Sequence, residues 1–358
     1  MKNVVFLSVM SLLMFAACSE DDSKAPVENE YGAVTFELSA VNEIEGGAVT
    51  RSPIYSQEAV QHVTQVNVYA FKSNGTDYLF EKSYNITGWT DGTTFKRYAV
   101  PDENKLALGD YKFLAVGVGA DNAFTVTTPA ASTKFEDMAA TIATSGNETE
   151  IFAGFAPYTI IAQGSRVSIQ MIRKVAGVLG YFKNVPTTID GSPVKYLRLT
   201  VSASNLQVNL STAAGSTAGV TPFNIINVDL STQGTANDVF TGNTVEAGVV
   251  KVPNSQLNGS YLVPVNNITL ILGLYGADGT TALRTWAVSS PGVGTTFDIL
   301  ANHFYTLGRK EVASGTGGTD PNDPNDDDAP IDLLTDQTIT VTISPNWTVI
   351  HDLVLQTP

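Results

Sequence analysis

The sequence predicts an all-β chain of two tandem β-sandwiches, and three observations predict it. Apolar residues alternate with polar ones far more often than they recur at helical spacing. Relative to average usage Thr, Ser, Val, Gly and Asn are abundant while Leu, Lys and Glu are thin, a composition that suits pleated, half-buried surfaces. Asn-Gly and Asp-Gly pairs fall between the alternating runs, as tight hairpins require. The chain has 358 residues, a length that suits two such domains better than one.

The first residues read as an export signal. Lys2 gives a positive start, Val4 to Phe15 is an apolar run too short to span a bilayer comfortably, and Ala16-Ala17 precede Cys18. A signal closed on Cys at the first mature position resembles a bacterial lipobox, so residues 1–17 are read as removed and Cys18 as the lipid attachment point. Cys18 is the one cysteine in the chain, which excludes a disulfide framework and Cys-metal sites. The following Ser19-Glu20-Asp21-Asp22 looks like the acidic signal that sends lipoproteins of Bacteroidetes to the outer face of the outer membrane; as chemistry alone it is equally a solvated tether.

The strands follow in order. Val34, Phe36 and Leu38 alternate with Thr35, Glu37 and Ser39. The same period runs through Val66, Val68 and Ala70, then Val167, Ile169 and Met171, then Leu197, Leu199 and Val201, then Ile268 to Leu274, then Ile339 to Ile343. Each reads as a strand with one wetter face. Asn74-Gly75, Asp91-Gly92, Asp190-Gly191 and Asp278-Gly279 are the hairpin turns between them. One short helix is expected, where Thr133 and Glu136 form a capping box ahead of Met138-Ala139-Ala140.

These elements divide the chain into a leader at 18–51, a first sandwich at 52–164, a second at 165–313, a linker at 314–330 and a tail at 331–358. The linker mixes Gly315, Gly317 and Gly318 with Pro321, Pro324 and five aspartates from Asp320 to Asp328, too polar to bury a core. The tail is too short to fold alone, yet Thr338 to Leu355 holds two β-rich halves broken by Pro345. Extended, those residues reach about 60 Å at roughly 3.3 Å each. The tail is therefore expected to be detached, able to cross a neighbouring molecule and dispensable for folding.

Catalytic chemistry finds little support. His62, His303 and His351 are far apart and make no HExxH pair. There is no G-x-S-x-G elbow, and Gly117-Val118-Gly119 lacks the third glycine of a dinucleotide fingerprint. An EF-hand loop from Asp323 would need Gly at Asp328 and Glu at Leu334. No metal, no cofactor and no catalytic residue is expected. The net charge of −15, with no basic cluster, excludes nucleic acid as a partner. Trp89, Trp286, Trp347 and the tyrosines are read as core or cross-strand residues before they are read as sugar or host-protein contacts.

Taken together, these features resemble the fimbrillin family of Bacteroidetes, subunits of type V pili. The residues that carry the likeness are Val49-Thr50-Arg51-Ser52, Val63 to Phe71, Arg173-Lys174-Val175-Ala176, Asn302 to Leu307 and Trp347. The resemblance implies transthyretin-like or Greek-key sandwiches, and an Arg-specific protease that cuts between Arg51 and Ser52. That cut would release the lipid with a displaced strand at Ala33 to Ala40, whose inward residues are Val34, Phe36 and Leu38. The vacated groove would then take a donor strand from another subunit, with Ile339, Val341, Ile343, Trp347, Val349, Leu353 and Leu355 as the inserted residues. A homopolymeric stalk at the cell surface follows, serving adhesion and biofilm formation, with a host protein or glycan as its outside partner. The alternatives are a pilus anchor that keeps its lipid, and a non-polymerising surface lipoprotein that binds glycan or host protein.

Lipidation is directly testable. Cys18→Ala is expected to abolish incorporation of labelled fatty acid and to release the protein from the membrane fraction; unchanged labelling would refute it.

Overall fold

The computed structural model describes residues 31–40, 62–90, 93–242, 252–290, 292–309, 329–335 and 339–344. Strands dominate it, and its only helical pieces among the described residues are two 3-10 turns, Asp102–Asn104 and Phe135–Asp137. The all-β class holds.

The first half rests on seven strands in the spatial order Tyr78–Asn85, Gln65–Ser73, Gly109–Val118, Ile151–Ile160, Ser165–Arg173, Val34–Ala40 and Phe95–Ala99. Ile151–Ile160 pairs with Gly109–Val118 along its whole length. With Ser165–Arg173 it shares only two residue pairs, Phe152 with Arg173 and Ala153 with Ile172. The sheet folds over at that corner into a four-stranded and a three-stranded layer. Gly154 sits at the fold, where a Cβ would collide with the Gln170 carbonyl, so no other residue fits. Between the layers Val34, Phe36, Leu38 and Ala40 meet Val66, Val68, Phe113, Ala115 and Phe152.

The second half is a sandwich of two five-stranded sheets. One aligns Phe223–Asp229, Tyr196–Val201, Leu270–Tyr275, Ala282–Ser289 and Ile339–Thr340; the other aligns Ser255–Leu262, Ala176–Lys183, Phe304–Leu307 and Thr342–Ser344, with Ile331–Asp332 against Ala176–Lys183. Val178, Leu199, Ile226, Leu272 and Tyr305 are buried between them. A third, smaller sheet joins the halves, because Ala139–Thr141 of the first pairs with Asn205–Asn209 of the second. Beneath it Phe71, Leu114, Phe135 and Met138 share one core with Val208, Leu257, Tyr261 and Phe304. The two halves are thus fused through apolar side chains rather than hinged.

Three expectations are corrected. The strand Ser165–Arg173, expected to open the second half, belongs to the first: it runs parallel to Val34–Ala40, and Val167, Ile169 and Met171 pack into the first core. The change of sheet falls at Lys174-Val175. The capping box does not form, because Thr133 Oγ1 accepts the Ala130 N–H at 2.9 Å and the Glu136 carboxylate is drawn 2.9 Å from Lys112 Nζ. Met138, Ala139 and Ala140 are buried, and Ala139–Thr141 is a strand. The tail is not detached over residues 339–344. Ile339–Thr340 extends one sheet of the second sandwich beside Val288–Ser289, and Thr342–Ser344 extends the other beside Phe304–Thr306. Ile339 and Val341 are fully buried in the second core. An edge strand with alternating apolar residues and an open sandwich seam beside it has more to gain by closing that seam than by staying in water.

The junction between the halves is ionic as well as apolar. Arg173 is 1% exposed; its Nε donates to Glu150 Oε1 at 2.6 Å and its guanidinium lies over the Phe152 ring. The His62 N–H donates to the other Glu150 oxygen at 3.2 Å. Nearby, Glu148 is 4% exposed. Its Oε2 accepts the Gly146 N–H at 2.7 Å, while Oε1 has no hydrogen-bond partner among the described residues. Burial pushes Glu148 up to about 7, outweighing that backbone donor, and burial pushes Lys174 down to about 8.

Two outcomes follow. Because the folded Glu148 titrates above its unfolded value, its stabilising, protonated form is fully present below the ordinary carboxylate pKa and is lost as pH rises through about 7. Lys174 changes only above pH 8. Thermal stability is therefore expected to fall between about pH 4.5 and 7, and Glu148→Gln should flatten that fall by up to about 3 kcal/mol in a pH series of melting curves. Val341→Asp is expected to destabilise the isolated subunit by at least about 3 kcal/mol in denaturant titration, since the charge has no partner in the second core. A neutral result would show that residues 339–344 do not hold the sandwich together.

Candidate functional site

The most distinctive construction in the fold surrounds Val34–Ala40. The strand lies in the middle of the three-stranded layer, parallel to Ser165–Arg173 through seven register pairs and antiparallel to Phe95–Ala99 through five. Further backbone bonds lace its ends: Ser165 N–H to Ala33 O at 2.8 Å, Val100 N–H to Val34 O at 2.9 Å and Ala40 N–H to Thr94 O at 2.9 Å. Those two walls do not pair with each other. Among the described residues Val34–Ala40 alone bridges them.

Its inward face is apolar throughout. Val34, Phe36, Leu38 and Ala40 are 2% exposed or less. The Phe36 ring meets Phe113 edge-on at 5.3 Å and Tyr84 at 5.4 Å. Burying Val, Phe and Leu side chains contributes on the order of 2 kcal/mol each, so removal of the strand exposes a hydrophobic trough as well as two rows of backbone donors and acceptors. The outward face carries one charge. Glu37 Oε1 accepts from Arg97 Nη2 at 2.7 Å and Nε at 3.0 Å and lies 3.5 Å from Arg166 Nε; Oε2 accepts the Ser168 hydroxyl at 3.2 Å. The Arg97 hydrogen bonds lead in holding the Glu37 carboxyl below the usual carboxylate range.

The candidate residues are distributed unequally over this picture. Val34, Phe36 and Leu38 form the inner face of the strand as read from their alternation. Ile339 and Val341 are in the second core, and Ile343 stands in register with Tyr305, so these three are not at the groove. Cys18, Arg51, Ser52, Trp347, Val349, Leu353 and Leu355 lie outside the described residues. Arg97, Arg166 and the wall Phe95–Ala99 escaped the sequence reading. Phe95-Lys96-Arg97-Tyr98-Ala99 carries no apolar alternation, as befits a charged edge strand, and Arg97 is 60 residues from Glu37.

Other sites offer less. Trp89 and Trp286 are buried, and the exposed large aromatics among the described residues are Tyr31, Phe95 and Phe155. His303 Nδ1 is 2.9 Å from the Ala301 carbonyl. Among the described residues no group of three or more His, Cys, Asp or Glu side chains is placed to hold a metal ion. A cleft of about 610 Å³ between the halves is lined by Asp121, Glu148, Phe223, Asn224, Asn227 and Asn258.

Comparison with solved structures finds distant likenesses. The fimbrial anchor protein Mfa2 from Porphyromonas gingivalis is 11% identical, covers 77% of this chain and 90% of its own, and superposes with a TM-score of 0.42. The fimbrilin FimA from the same species is 11% identical, covers 89% and 99%, and gives 0.42. A putative cell adhesion protein from Parabacteroides distasonis is 11% identical, covers 92% and 100%, and gives 0.44. No curated protein matches the chain. The family model described as fimbrillin-A associated anchor proteins Mfa1 and Mfa2 matches residues 34–352, from the first residue of the buried strand into the tail, and the chain belongs to that family.

Proposed function

We propose that this chain is a structural fimbrial subunit, exported as a surface lipoprotein on Cys18, cut after Arg51 by an Arg-specific protease, and polymerised by strand exchange to serve adhesion and biofilm formation. The observation that carries this reading is the position of Val34–Ala40. It is a middle strand, fully buried on one face, and its covalent connection to the strands that follow it runs through residues 41–61, which contain Arg51. While that connection is intact the strand is held at a high effective concentration and nothing competes with it. Cutting after Arg51 turns it into a separate ligand that a strand from another subunit can replace, restoring the backbone ladder and the apolar contacts together.

The donor is the tail. Ile339 and Val341 already fill the subunit's own second core and the backbone of Thr342–Ser344 already extends one of its sheets, so donating them would open that sandwich. The length beyond Pro345, with Trp347, Val349, Leu353 and Leu355, carries no such cost and is the part that enters the neighbour, while Ile339 to Ser344 form its root. Presence of both a cut site and a tail favours a stalk subunit. The anchor reading is favoured by the family description and by how firmly the uncut strand is seated; an anchor would keep residues 18–51 and its lipid. A host protein or glycan is the outside partner in either case.

Arg51→Ala separates the readings. For a stalk it should leave full-length lipoprotein at the surface and abolish polymer ladders, and surface-sheared wild-type material should begin at Ser52 by mass spectrometry. Normal ladders from the variant, with sheared wild-type protein still bearing acylated Cys18, would overturn the stalk reading and establish the anchor.

A further inference from the structure

An apolar trough reads a strand poorly. Inward pockets repeat every two residues, so a donor with several alternating apolar residues fits in several registers, each two residues from the next. What breaks the repeat in this groove is on the outer face. Glu37 stands in register with Arg97 on one wall and with Ser168 on the other. Arg166, one turn of the pleat away on the Ser168 side, reaches the same carboxylate. When Val34–Ala40 leaves, both guanidiniums lose the acid between them.

Beyond Pro345 the tail contains a single acid, Asp352. Setting Asp352 where Glu37 stands, in the same chain direction, places Val349 on Val34, Leu353 on Leu38 and Leu355 on Ala40, with His351 on Phe36. We propose that the groove selects register by charge: Asp352 of a second copy occupies the position of Glu37 between Arg97 and Arg166, which seats Val349, His351, Leu353 and Leu355 in the pockets of Val34, Phe36, Leu38 and Ala40. This rests on the strand-exchange reading above and assigns its register. The match is confined to 349–355. At Gly32 the leader's path has no room for a side chain, since a Cβ there would collide with the Ile161 carbonyl, so Trp347, which would fall on Gly32, lies outside the groove. His351 fills the Phe36 pocket incompletely, so the tail is a weaker occupant than the tethered leader and cannot displace it before the cut.

Disulfide trapping in the full chain tests the register. Cys18 is the only native cysteine and departs with the leader, so the processed polymer has no background thiol. Cross-strand neighbours sit at a separation that a disulfide spans. The pair Ala99→Cys with Ile350→Cys, which takes the place of the Thr35–Ala99 register pair and leaves the charges intact, should give a polymer ladder that survives boiling without reductant and collapses with it. The pair Ala99→Cys with Thr340→Cys reports the competing register, in which Ile339, Val341 and Ile343 fill the groove. A ladder from that pair, or from neither while processed subunits still polymerise, overturns this proposal and leaves strand exchange standing; processed subunits that never polymerise overturn both. The role of charge is read separately. Asp352→Arg should cut polymer yield at least tenfold, and combining it with Arg97→Glu and Arg166→Glu should restore most of it. Unchanged yield from the single variant, or no recovery in the combination, overturns selection by charge.

Discussion

The seating of one seven-residue strand determines the first half of this molecule. Among the described residues Val34–Ala40 is the only link between Ser165–Arg173 and Phe95–Ala99, and its side chains fill the space over Phe113 and Tyr84. A three-stranded layer without its middle is not a layer. The four-stranded layer opposite would then face water across Val66, Val68, Phe113 and Ala115, and the edge strand Phe95–Ala99 would lose every ladder bond it makes. The groove is therefore not a preformed cavity in the usual sense. Its shape exists only while some strand occupies it, which makes occupancy and folding the same event for this part of the chain.

The second half is protected from that dependence. Its two sheets close on each other through residues of their own, and a common core with Phe71, Leu114, Phe135 and Met138 ties it to the four-stranded layer rather than to the removable one. The Arg173–Glu150 pair sits at the corner where the chain changes sheets and also takes the His62 N–H, the first described residue after the leader connection. A buried ion pair of this kind adds little net stability but leaves a strong penalty for any arrangement that separates its members. It fixes the corner, and with it the floor of the groove, whatever strand lies above.

Much of the fold was legible because one-sided strands announce themselves. Val34, Phe36 and Leu38 could be assigned an inner face from alternation alone, and Asn74-Gly75 and Asp278-Gly279 turn where their residue types require. What was not legible depended on partners far away in sequence. Thr133 and Glu136 have the spacing of a capping box, but Lys112 competes for the glutamate and the segment beyond it is buried as a strand. Ile339 to Ile343 has the pattern of a free strand, yet pattern cannot say whose sheet it joins. Phe95–Ala99 shows no alternation because an edge wall needs charge more than it needs a second apolar face. Of the site itself, the inner face was readable and the outer charge cluster was not, since Glu37, Arg97 and Arg166 meet only after three strands align.

The crossing at Val341 has a mechanical meaning. Residues 339–340 run parallel to one sheet and residues 342–344 run antiparallel to the other, with the buried Val341 between them. In a fibre built by tail donation, tension arriving through Pro345 pulls along the length of both ladders, so their hydrogen bonds share the load in shear instead of opening one at a time like a zipper. The force is then divided between the two faces of the sandwich at a single buried valine.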